Sequence, residues 1–155
     1  MPRSLGHRRI LVPIGDNVES EKAMDVACRL ADEHGASITV IAVVEVPPSL
    51  PLDSHMREEE ESAHRLLERA SAIADSYGVS VAARMLRRRD AAGGIVDLAE
   101  VTRAEILVIG APRRRKTGAA VFGNTVEHVL KKAPCRVMVI GTGPSAARAA
   151  QNAAA

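Results

Sequence analysis

The sequence predicts an α/β domain, a doubly wound parallel sheet of five strands with helices on both faces. Two observations carry that prediction. Short apolar runs too continuous for a half-exposed strand recur along the chain, as at Ile10, Leu11, Val12 and at Ile106, Leu107, Val108, Ile109, and such runs suit strands covered on both faces. Between them lie segments with apolar residues at helical spacing, and strict alternation of the two implies right-handed crossovers and a parallel sheet.

The elements follow in order. Residues 10–14 form a first strand; Ala23, Val26, Ala27, Leu30 and Ala31 then keep the i, i+3, i+4, i+7 spacing of a helix that ends near Gly35. Residues 37–46 make a β-branched second strand, and Pro47, Pro48 and Pro51 force a loop after it. Acidic residues 58–61 stand early in the second helix, where negative charge suits the helix dipole. Its apolar stripe runs from Ala63 through Leu67, Ala70 and Ala74 to Tyr77, and Gly78 ends it. A third strand over 79–86 and a helix over 91–103 lead into the strand at Ile106. Residues 111–122 read as an irregular basic connection, followed by a helix with Val126, Val129, Leu130 and Ala133 on one face and a fifth strand over 136–140. Residues 1–143 are expected to form one domain, and the alanine-rich 144–155 a loose tail.

Composition narrows the function classes. At 155 residues, with 46% hydrophobic and 26% charged residues, a single domain can bury roughly 68–70% of its unfolded surface. No apolar run approaches the roughly 20 residues of a membrane span, and residues 1–9 lack the apolar core of a signal peptide, so a cytoplasmic protein without membrane insertion is expected. A formal charge of +2 and only two aromatic residues, Tyr77 and Phe122, argue against nucleic-acid binding. Cys28 and Cys135 stand far apart among apolar neighbours, and the five histidines show no ligand spacing, so no metal site is expected. The triple arginine 87–89 at the end of the third strand reads as a solvated surface.

The connection after the fourth strand is where chemistry is expected. It starts at Gly110, carries Arg113, Arg114, Arg115 and Lys116, and ends at Gly123, Asn124 and Thr125, which open a helix. Free N–H groups and a partial positive charge at a helix start, with a glycine that permits close approach, can hold a phosphate. In a doubly wound sheet the carboxyl ends of the strands converge where the winding reverses, bringing residues 13–17 and 43–45 to this connection. For Gly15, Asp16 and Asn17, a ligand contact and a plain helix-capping turn are both open. No phosphate-loop lysine motif and no nucleophile elbow is present, so no catalytic residues are assigned and an enzyme is not expected, slow ATP hydrolysis aside.

These residues resemble the universal stress protein family over nearly the whole stretch from Arg9 to Ile140. The opening Ile10-Leu-Val-Pro13, the strand Ala104-Glu-Ile-Leu-Val-Ile-Gly110, and the block Thr125-Val-Glu-His-Val-Leu-Lys-Lys-Ala-Pro-Cys-Arg-Val-Met-Val139 carry the likeness. The Pro47–Asp53 loop and Phe122–Thr125 resemble a subgroup found with amino-acid transporters. The resemblance implies strand order 3-2-1-4-5, a Rossmann-like arrangement.

It also implies ATP as ligand, with or without Mg²⁺, with AMP or no nucleotide as alternatives. Family members that bind ATP carry Gly-x2-Gly-x9-Gly-Ser/Thr. Here Gly110 and Gly123 match the outer glycines, Arg113 replaces the middle one, and Asn124 stands for the hydroxyl residue. Asn124 is expected to serve as an N-cap as serine would; Arg113 either crowds the nucleotide or pairs with a phosphate. Gly15 replaces the family's strand-one aspartate, a loss worth roughly 1–3 kcal/mol unless Asp16 substitutes. The implied binding residues are Pro13, Ile14, Gly15, Asp16, Val43, Gly110, Ala111, Arg113, Arg114, Gly123, Asn124, Thr125 and Val126. A homodimer paired through strand 136–140 is also implied, serving as a nucleotide-dependent switch or, alternatively, as an interaction domain of a transporter or stress pathway.

Overall fold

A computed structural model describes residues 8–112, 114–116 and 119–142. The tail and Arg113 lie outside the described residues. Five parallel strands form the sheet: β1 (Arg9–Pro13), β2 (Ser37–Glu45), β3 (Val81–Arg88), β4 (Ile106–Gly110) and, last in the chain, β7 (Arg136–Ile140), in spatial order β3-β2-β1-β4-β7. That is the expected 3-2-1-4-5 order.

Among the described residues, four helices cover it. α1 (Val18–His34) and α2 (Arg57–Ser76) pack on one face, α3 (Ala91–Val101) and α4 (Asn124–Lys132) on the other. Period-two alternation in the central strands sends side chains both ways. Ile10 and Val12 of β1 join the α1–α2 side while Leu11 joins the α3–α4 side; Ile106 and Val108 of β4 divide from Leu107 and Ile109 in the same way. Full burial of each such aliphatic side chain stabilises by roughly 1.5–3 kcal/mol, so the two central strands anchor the layers.

The helix ends explain why the crossovers are short. Gly35 closes α1 with φ 63° and donates its N–H to the Ala31 carbonyl, and Gly78, at φ 67°, follows the Tyr77 cap of α2. Both are left-handed positions that glycine occupies without steric cost.

Two expectations need correction. The connection after β4 is not wholly irregular: β5 (Arg114–Lys116) and β6 (Ala119–Val121) pair antiparallel, Arg114 opposite Val121. Strands of three residues are too short to display an alternation in sequence. The triple arginine is not a merely solvated surface either, because β3 runs on through Arg88 and its end is tied down. Arg87 donates to the Ser54 carbonyl at 2.7 Å and pairs with Glu60, and Arg89 donates to the carbonyls of Pro47 and Leu50, each at 2.7 Å. These arginines clamp the proline-rich loop against the strand.

Candidate functional site

Above the carboxyl ends of β1, β2 and β4, where the winding reverses, the molecule opens into a cleft of about 530 Å³. Its size falls in the range of small-ligand sites, and its place is where the fold leaves strand ends uncovered. Pro13, Ile14, Gly15 and Val43 form its floor with Gly110, and Gly123, Asn124, Thr125 and Val126 its wall. Nine of the sequence-predicted residues thus surround one space.

Of the remaining four, Ala111 and Asp16 do not line it. Ala111 is fully buried in the core, and its N–H is taken by the Ile140 carbonyl at 2.8 Å, so that amide serves the fold. Asp16 is exposed and lines a neighbouring groove with Glu58 and Glu59, on the α2 side of β2. Arg113 lies outside the described residues, and Arg114 enters β5, where only the backbone is described.

Gly110 and Gly123 differ in what they permit. A Cβ on Gly110 would stand 2.4 Å from the backbone carbon of Glu19 and 2.5 Å from the Ser20 nitrogen, so this glycine lets β4 pass under the start of α1. A Cβ on Gly123 would meet nothing within 4 Å, and its φ of −66° suits any residue. Among the described residues, nothing requires a glycine there.

Gly123, not Asn124, occupies the N-cap of α4, and among the described residues no side chain caps it; Asn124 is the first helical residue. Because residue 123 is extended (ψ 164°) and residue 124 already helical, the cap lies one position before the expected Asn124. The open end leaves backbone N–H groups and the positive end of the helix dipole facing the cleft. An anionic group fits this wall.

The β1–α1 turn is arranged differently. Asn17 caps α1, its Oδ1 accepting the Ser20 N–H at 2.8 Å, while Ser20 Oγ accepts the Gly15 N–H at 2.9 Å. The capping role considered for this turn is therefore real. Asn17 and Ser20 also line the cleft, as do Glu45 and Asp90; Asn17 and Glu45 belong to the stretches expected to converge here, though not to the implied binding residues, whereas Ser20 and Asp90 were not singled out from the sequence. Asp90 caps α3, its Oδ2 accepting the Gly93 N–H at 2.9 Å. An Asn or Asp just before a helical stripe was the available signal for both caps. Ile41 and Ile109 add apolar floor; alternation back from Val43 would have found Ile41.

Burial, helped by Asp25, pushes the Cys28 thiol up to about 11, and burial also raises Cys135, so both are held protonated near neutrality. Among the described residues, no three His, Cys, Asp or Glu side chains come together as metal ligands would, and no helix is long and apolar enough to cross a membrane.

The sequence profile of the universal stress protein family matches residues 6–141. The chain belongs to the universal stress protein family. A universal stress protein of Methanocaldococcus jannaschii is 27% identical over 140 residues, covering 86% of this chain and 82% of its own. Among solved structures, a universal stress protein from Archaeoglobus fulgidus in complex with dAMP superposes with a TM-score of 0.69 at 20% identity, covering 88% of this chain and 99% of that one. A universal stress protein in complex with cAMP gives a TM-score of 0.66 at 18% identity, covering 88% and 98%. At these identities the likeness establishes the universal stress protein fold.

Proposed function

We propose that this universal stress protein is a regulatory domain that binds an adenine nucleotide in the cleft and acts as a homodimer. One observation carries the proposal: the α4 N-terminus, which among the described residues has no side-chain cap, opens onto the cleft beside a glycine that no described contact demands. Phosphate oxygens accept from the N–H groups of Asn124, Thr125 and Val126, and the space beside Gly123 admits them closely. The base lies against Ile14, Ile41 and Val43, and the ribose beside Gly15 and Gly110. Relatives crystallised with dAMP and with cAMP support a nucleotide as the ligand class.

ATP, with or without Mg²⁺, is the ligand that the family pattern implies, and its binding sets the shape of the connection from Ala111 to Phe122. The protein then works as a switch rather than a catalyst. β7 ends the sheet with one side paired to β4 and its Val137–Ile140 side chains half-buried, which suits pairing with a second copy across a two-fold axis.

The test is to denature freshly purified protein, identify any released nucleotide by mass spectrometry, and titrate the emptied protein with Mg-ATP and with AMP in a calorimeter. Recovery of nucleotide, or binding at micromolar strength, is expected, with twice the monomer mass by light scattering. If no nucleotide is released and no heat appears, the alternative stands: an interaction domain of a transporter or stress pathway with a degenerate motif.

A further inference from the structure

The strand-one end of the cleft has an unusual hydrogen-bond polarity. The Asn17 carbonyl oxygen is turned to the Ser20 N–H at 2.8 Å, which fixes the amide flip because only oxygen can accept there. Its Nδ2 consequently stands over Gly15, 3.1 Å from where a Cβ on that residue would be. Ser20 is only 5% exposed; its hydroxyl accepts the Gly15 N–H at 2.9 Å and, among the described residues, gives its own proton to no acceptor. Both side chains line the cleft. The turn offers N–H and O–H donors where a carboxylate at position 15 would offer acceptors.

The carboxylates that do line the cleft, Glu45 and Asp90, come from the ends of β2 and β3, on the side of β1 away from β4 and α4. Asp16 lines the neighbouring groove instead. A free ribose 2′,3′-diol brings two protons that need acceptors. A phosphate ester brings only acceptors, and charge makes its hydrogen bonds roughly twice as strong as neutral ones. The positive end of the α1 dipole acts in the same sense.

We propose that the cleft selects nucleotides whose ribose 3′ oxygen carries a phosphate, the 3′,5′-cyclic monophosphate being the compact case, over nucleotides with a free diol. This rests on the assignment of the cleft as a nucleotide site. The donors on Asn17 and Ser20 hold the ester oxygens, and Gly15 is small because the Asn17 amide occupies the space beside it.

The test compares AMP with 3′,5′-cyclic AMP by calorimetry on the native protein and on Asn17→Asp. Aspartate caps a helix as well as asparagine does but places a carboxylate oxygen where Nδ2 stands. The native protein should bind the cyclic ester about tenfold or more tightly than AMP, and Asn17→Asp should abolish or reverse that ratio. Asn17→Ser, which keeps a capping oxygen and lacks the amide donor, should reduce the ratio and serves if the aspartate variant does not fold. AMP bound as tightly as the cyclic ester by the native protein, or a ratio that neither variant changes, overturns the proposal while nucleotide binding stands. Failure of both nucleotides to bind any of the proteins removes the site assignment and the selectivity with it.

Discussion

Gly110 and Gly123 bound the same connection and match the same family pattern, yet the molecule uses them for opposite purposes. Gly110 is committed to the protein, since its missing side chain is what lets β4 lie against the Glu19–Ser20 backbone of α1. Gly123 is uncommitted, with an ordinary φ and open space where a side chain would be. A motif glycine can therefore mark architecture or an approach path for a ligand, and only the contacts around it tell which.

The largest effect expected is from Gly110→Ala. A methyl group 2.4 Å from fixed backbone cannot be absorbed by a rotamer change, so the cost should reach about 3 kcal/mol, the upper part of the overpacking range. A fall in melting temperature of roughly 10 °C is expected in a thermal scan, and an unchanged melt would show that α1 and β4 separate at little cost. Gly123→Ala inverts the pattern. Alanine is a poorer N-cap than glycine, so stability should drop by about 1 kcal/mol or less, while nucleotide affinity falls by about tenfold or more because the methyl fills the approach to the α4 amides. A calorimetric titration in which Gly123→Ala binds as well as the native protein would place the phosphates elsewhere.

What could be read from the sequence divides along the same line. The five strands and four helices were legible because each signal is local: runs such as Ile106–Ile109 sit on both core faces at once, and Gly35 and Gly78 end helices through their own backbone angles. The nine cleft residues were legible because topology alone brings those strand ends together. The reason for Gly110 was not, since its contact lies some ninety residues back in the chain at Glu19. Nor was the role of the arginines at the end of β3. Arg87 and Arg89 were read as solvated because charge in a sequence does not reveal which carbonyls lie within reach, and the loop they clamp is positioned only once β3 has paired with β2. The Asn17–Ser20 cap was within reach of the sequence, but its second role, lining the cleft, depends on the tertiary placement of Gly15.

Arg89 lies on the committed side of the contrast and should behave accordingly. Arg89→Ala removes the donors to Pro47 and Leu50, both exposed hydrogen bonds, so global stability should fall by only about 1 kcal/mol. The effect should be local instead: amide hydrogen exchange in residues 47–54 should quicken while exchange in β1 and β4 is unchanged. Protection retained in the loop would mean that Arg87, through Ser54 and Glu60, suffices alone.

Cys28 gives the smallest effect and the narrowest test of commitment. Its thiol is buried against the sheet and held protonated to about pH 11, against an ordinary value of 9.0, first by burial and second by Asp25. Below pH 9 the thiol is protonated in both folded and unfolded chains and contributes no pH dependence. Between 9 and about 11 only the unfolded chain releases the proton, so unfolding gains and stability declines as pH rises. Cys28→Ala should lose that part of the decline, so its urea midpoint should fall less than the native one between about pH 8 and about pH 10, even though it starts lower from the small cavity left behind. Other groups titrate in the same window in both proteins and cancel in the difference. Parallel midpoints would mean that the folded chain lets water or a cation reach the thiolate, and that the α1 face of the sheet opens more readily than its packing implies.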